Sequence, residues 1–136
     1  MDVKRLAMLL KLRKIGGTVV HHCALLQKIL KERGVPSKVV KGYCVSPGEV
    51  CEHYWVETLD EGLHMDIGLE CAKLHSPELS TLRTMLLKEI PEELKDAEVL
   101  KQEDNERLFE LLQTDPKTFW AESPYDVRTF TPGKVL

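Results

Sequence analysis

The stretch "SKVVKGYCVSPGEVCEHYWVETLDEGLHMDIG", residues 37–68, decides the fold. "SKVVKGYCV" and "CEHYWVET" are rich in β-branched and aromatic residues, and "SPGEV" between them is a turn signal. "LDEGL" makes a second turn, and "HMDIG" offers a short third strand. Three consecutive strands with brief turns predict an antiparallel meander. Side chains alternate along a strand, so Cys51, His53, Trp55 and Glu57 share one face, and Glu52, Tyr54 and Val56 take the other. Cross-strand packing accounts for the aromatics. It does not call for a histidine at 53 followed by a lone aspartate at 66.

Upstream the period is helical. Residues 2–14 place Val3, Leu6, Leu9, Leu10 and Leu12 among basic residues, which predicts an amphipathic helix ended by Gly16-Gly17. Residues 18–33 predict a second helix, with Thr18 as cap and Val19, Cys23, Leu26 and Leu30 on one face, widened by Leu25 and Ile29. Gly34 is a natural residue just past its end, and Pro36 prevents continuation. Downstream, "SPELSTLRTMLLKEI" (76–90) carries cap and proline signals for a helix with Leu79, Leu82, Met85 and Leu86 inward. Another helix is expected from Asp104 or Asn105 through "LFELLQ", and "EELKDAEVLKQE" is ambiguous. The tail from Pro116 is expected to wrap the surface or dock by Phe119 and Trp120. The fold class is therefore α+β, with N-terminal helices on a small antiparallel sheet and a helical C-terminal half.

The chain has 136 residues, enough for one core and one domain, 1–136. A net charge of −3 creates no field that would draw nucleic acid or an anionic membrane. No run approaches the ~20 apolar residues of a spanning helix. The four cysteines, 23, 44, 51 and 71, form no CxxC pair, so no metal site is assigned and no cofactor is expected. The N-terminal run is too interrupted by Lys11, Arg13 and Lys14 for a secretory signal, and free thiols in the cytoplasm are expected.

Cys23 falls early in a helix, where the dipole can favour a thiolate, although the ordinary reading of a free cysteine, taken alone, is a small buried hydrophobe. If the His53 face meets that helix, the imidazole can reach the sulfur and make it a nucleophile. With a turn centred near residues 60–62, Asp66 comes roughly opposite His53, where a carboxylate can accept the Nδ1–H and fix the tautomer. Each residue also has an ordinary structural reading. Together they make an ordered set of thiol, imidazole and carboxylate.

These segments resemble the transglutaminase-like superfamily, whose core is that of the papain-like cysteine proteases. The resemblance rests on a cysteine near a helix start (Cys23), "GVPSKVVKGY" (34–43) in place of a Gly-Ile-Pro-Ala-Arg-Val-Val-x-Gly-Tyr segment, "HYWVE" (53–57) in place of His-x-Trp-Val-Glu, and Asp66 in "HMDIG". It covers about residues 16–70. The chain departs from the pattern with "VHHCA" instead of Gly-x-Cys, Asp66-Ile67 instead of Asp-Pro, and Lys38 instead of arginine. The resemblance implies acyl transfer on amide bonds of a protein or peptide through a thioester, with Cys23, His53 and Asp66 catalytic and the Cys23 N–H in the oxyanion hole. By position, Thr18, His21 and His22 are candidates for the second oxyanion donor, and Trp55, His22 and Thr18 for substrate contacts. His22 is a poor base for Cys23, because adjacent helical residues do not face each other. Residues 71–136 would cover the cleft or supply contacts through Trp120 and Tyr125, or pack as core. The competing readings are an inactive binding or scaffold module of the same fold, and metal binding through Cys23, His21, His22 and His53.

Overall fold

The computed structural model describes residues 3–12, 16–81, 84–102 and 104–125. The protein is α+β, with five α-helices among these residues and a small, mainly antiparallel sheet. Helix α1 (Val3–Leu12) buries Leu6, Ala7 and Leu10, while Leu12, expected inward, is exposed. Helix α2 (Val19–Glu32) is the centre of the molecule. Cys23, Leu26 and Leu30 are buried as the spacing predicts, and so are Val20, Ala24, Leu25 and Ile29. Each fully buried aliphatic side chain contributes about 1.5–3 kcal/mol, so packing outweighs intrinsic propensity in holding this helix. Its end is a Schellman motif: Gly34 at φ 77 donates to Lys31 O at 3.0 Å, and Val35 N–H reaches Leu30 O at 2.8 Å.

Strands β1 (Ser37–Ser46) and β2 (Glu49–Thr58) form the hairpin, with Val39 opposite Val56, Gly42 opposite His53 and Cys44 opposite Cys51. The third strand, β3 (His64–Met65), is two residues long and pairs with Val56 and Glu57. Helix α3 (Ile67–His75) follows at once, so Asp66 is a helix cap and not a strand residue.

The helix expected over 76–90 does not form. Pro77–Thr81 is a single 3₁₀ turn, and Met85–Leu87 is strand β4, paired with Tyr43–Val45 on the open edge of β1. Leu82 lies outside the described residues. The physical reason is tertiary: β2 covers one edge of β1, and pairing Met85–Leu87 along the other satisfies β1 backbone groups that would otherwise stay open. A second short strand, β5 (Val99–Leu100), joins β2 in parallel, so the sheet order is β3-β2-β1-β4 with β5 beside the far end of β2.

Helices α4 (Asn105–Thr114) and α5 (Pro116–Glu122) close the core with Leu108 and Phe119. The tail does dock by its aromatics. Phe119 is buried, and the half-buried Trp120 carries the Lys28 ammonium 4.9 Å above its ring. Residues 126–136 lie outside the described residues.

One core unites α1, α2, α3, α4 and α5 with Val39, Tyr54 and Val56, so α2 packs on the Tyr54 face of the sheet. No helix among the described residues is long and apolar enough to cross a membrane.

Candidate active site

His53 and Trp55 share a face of β2, as the alternation requires, but that face is the opposite of the one covered by α2. The imidazole therefore approaches α2 around the sheet margin, toward Val19 at the start of the helix, and not through the face that α2 covers. The ring instead works at the sheet margin, between the β3 and β5 pairings, where the first turn of α3 lies beside β2. Continuing the β2–β3 register would set Gly68, not Asp66, across from His53. A Cβ built on Gly68 would stand 3.2 Å from His53 Cε1 and 2.5 Å from Val19 Cγ2. That missing side chain is what lets the ring and the first residue of α2 approach the same point of α3.

Asp66 reaches His53 diagonally. Both carboxylate oxygens lie 2.8 Å from His53 Nε2, and Oδ1 also accepts the Leu69 N–H at 2.9 Å as the N-cap of α3. The bond is therefore to Nε2 and not to Nδ1 as expected. The N-cap position fixes the carboxylate at the end of the helix, and from there the outer ring nitrogen is the one within reach. A carboxylate that accepts from Nε2–H leaves Nδ1 as the unprotonated nitrogen.

Cys23 is the fifth residue of α2, a full turn past Thr18, and is completely buried. Its amide lies inside the i→i−4 ladder, so it is not the free oxyanion donor that was expected, and the dipole has little effect beyond the first turn. Burial pushes the Cys23 thiol well above its ordinary value, with Asp66 and then Cys71 acting in the same direction. This is opposite to the expected lowering. Asp66 and Cys23 are thus electrostatic neighbours, but among the described residues no hydrogen bond joins the Cys23 thiol to His53. All four cysteines are free thiols.

The flanking candidates have other partners. The Thr18 N–H donates to His21 Nδ1 at 3.0 Å, closing the start of α2. The His21 ring packs on Phe119, and its buried Nε2 has no hydrogen-bond partner among the described residues. Tyr125 brings its hydroxyl 2.7 Å from His22 Nδ1, and burial, then the neighbouring His21, lowers the His22 pKa to about 4. Burial raises the Tyr125 hydroxyl, and Cys71 and Cys23 push it the same way, so the tail residue Tyr125 belongs to the surroundings of Cys23. The expectation that the C-terminal part reaches the cleft through Tyr125 named the residue but not its partner, His22. Trp55 is fully buried beneath His53, with its indole N–H 3.4 Å from Glu57, so it packs under the site and does not line it.

Since His22 engages Tyr125 and His53 engages Asp66, the histidines do not converge on Cys23, and no cluster of three potential metal ligands occurs among the described residues. A large cavity of about 850 Å³ lies elsewhere, between α2, the start of β1 and α4–α5, and its lining includes Lys28, Lys31, Ser37 and Trp120 but none of the three candidate residues. Comparison with known proteins returns no matching family model, no matching curated protein and no matching solved structure.

Proposed function

We propose that this chain is a cytoplasmic transglutaminase-like thiol enzyme with a papain-like core, acting on amide bonds of a protein or peptide. The observation that carries the reading is the His53–Asp66 pair, 2.8 Å through either oxygen, which orients the ring and leaves Nδ1 as the base. In the neutral resting state the Cys23 thiol keeps its proton, because burial and the Asp66 charge both oppose a thiolate. Transfer of that proton to Nδ1 creates an imidazolium flanked by Asp66 and the new thiolate, and the positive ring then offsets the Asp66 charge. The thiolate attacks the amide carbon, the ring proton goes to the leaving amine, and water or a second amine releases the acyl group from the thioester. Hydrolysis, deamidation and transamidation share these steps.

A specific observation favours a second reading, a module that keeps the fold without the chemistry. Cys23 is wholly buried, and a nucleophile must be reached by its substrate. Alkylation of the full chain by iodoacetamide at pH 6–7, read residue by residue, separates the two. The enzyme reading expects Cys23 to react faster than Cys44, Cys51 and Cys71, and expects His53→Ala to slow it. Slow labelling of Cys23, indifferent to position 53, would leave the scaffold reading.

A further inference from the structure

We infer that Cys44 and Cys51 are a dithiol oxidation site that closes to a reversible cross-strand disulfide when it meets a low-molecular-weight disulfide of the oxidised glutathione class. The two residues are direct partners in the β1–β2 ladder and therefore point to the same face. Two residues, Pro47 and Gly48, turn the chain between Ser46 and Glu49, with Gly48 at φ 79 as the Pro-Gly turn requires. Thr58 N–H points away from β1, to Leu63 O at 3.0 Å, so Ser37–Thr58 is a non-hydrogen-bonded pair. By alternation Cys44–Cys51 is a hydrogen-bonded pair, whose Cα atoms stand about 5.5 Å apart. That falls inside the ~4.4–6.8 Å span of disulfides.

Neither sulfur is in a disulfide, the Cys51 thiol donates only to the nearby Glu49 carboxylate, which can release it, and both residues are half-buried and so open to a small reagent. Burial raises both thiols, with Asp66 and then Cys51 adding to it at Cys44 and Glu49 at Cys51, so the exchange speeds up as pH rises. The hydrogen-bonded register holds the Cβ atoms farther apart than a relaxed disulfide prefers, so the bond strains a hairpin pinned on both sides by β4 and β5. Strained bridges are the readily reduced ones, which makes this a reversible site and not a structural staple.

Atoms and electrons balance in two exchanges. The Cys51 thiolate, its proton lost to solvent, attacks one sulfur of the glutathione disulfide, giving a mixed disulfide and a first glutathione thiolate that takes up a proton. Cys44, deprotonated in turn, attacks the Cys51 sulfur, forming the Cys44–Cys51 bond and expelling the second glutathione. Two protein thiols are oxidised, and one glutathione disulfide is reduced to two thiols. This chemistry is independent of any activity at Cys23.

The test incubates the full chain with oxidised glutathione at several ratios to the reduced form, then alkylates and digests with trypsin and a glutamate-specific protease. Cleavage after Lys41, Glu49 and Glu52 puts the two cysteines on separate peptides, 42–49 and 50–52. The expected result is these peptides joined, two hydrogens lighter than their sum, with alkylation at both positions down at least tenfold and restored by excess glutathione. In Cys44→Ala the mixed disulfide at Cys51 should accumulate instead. Cys44 and Cys51 that stay fully alkylatable, that carry only separate glutathione adducts in the wild type, or that link to Cys23 or Cys71 would each overturn the inference.

Discussion

Asp66 holds His53 and starts a helix with the same carboxylate: both oxygens stand 2.8 Å from His53 Nε2, while Oδ1 takes the Leu69 N–H at 2.9 Å. The two duties can be separated by substitution. Asparagine is as good an N-cap as aspartate but carries no charge, whereas alanine supplies neither function. Asp66→Ala should cost about 1 kcal/mol in urea unfolding, and Asp66→Asn less than about half of that. Both should slow Cys23 alkylation by roughly tenfold or more, if the ring acts as base. A fast-reacting Asp66→Asn protein would separate the pair from the thiol.

The choice of control at position 23 follows from its burial. Cys23→Ala removes one sulfur atom from an apolar site, but Cys23→Ser places a hydroxyl there. Unfolding should show the serine variant about 1–3 kcal/mol less stable than wild type and the alanine variant closer to it. Equal stability of serine variant and wild type would mean that the site is wet.

Stability should fall in mild acid through His22. Burial, then the neighbouring His21, lowers its folded pKa to about 4 from an ordinary 6.5. Between those values the unfolded chain binds the extra proton, so this contribution is full above pH 6.5, declines as pH drops, and is gone below about 4. The loss is on the order of 2–3 kcal/mol. Urea unfolding at pH 7.5 and 4.5 should show a smaller difference for His22→Gln than for wild type. An unchanged difference would assign the acid sensitivity elsewhere.

Gly42 is required for its lack of a side chain. A Cβ there would stand 2.3 Å from Trp55 Cη2 and 2.6 Å from the Leu87 carbonyl oxygen. Gly42→Ala must displace either the fully buried indole or the β1–β4 ladder, and should cost about 2–4 kcal/mol. A melting temperature within a degree or two of wild type would show that β4 yields at no cost.

The local signals in this chain were strong where a segment carries its own period or punctuation. The stripe of Cys23, Leu26 and Leu30 closed by Gly34, and the alternation around the Ser-Pro-Gly turn, fix α2 and the β1–β2 hairpin, because i→i−4 bonding and the two-residue pleat are properties of the segment itself. The turn near residues 60–62 also brought Asp66 close to His53, though as an opposite strand residue and not as the helix cap it is. What it could not decide depends on neighbours distant in the chain. Met85–Leu87 became a strand because β1 offered an edge, and Asp66 capped a helix where a strand was expected. The ring nitrogen that Asp66 takes, the burial of Cys23 in the core, and the arrival of Tyr125 beside it were settled only by packing, since alternation tells which face a side chain takes but not what covers that face.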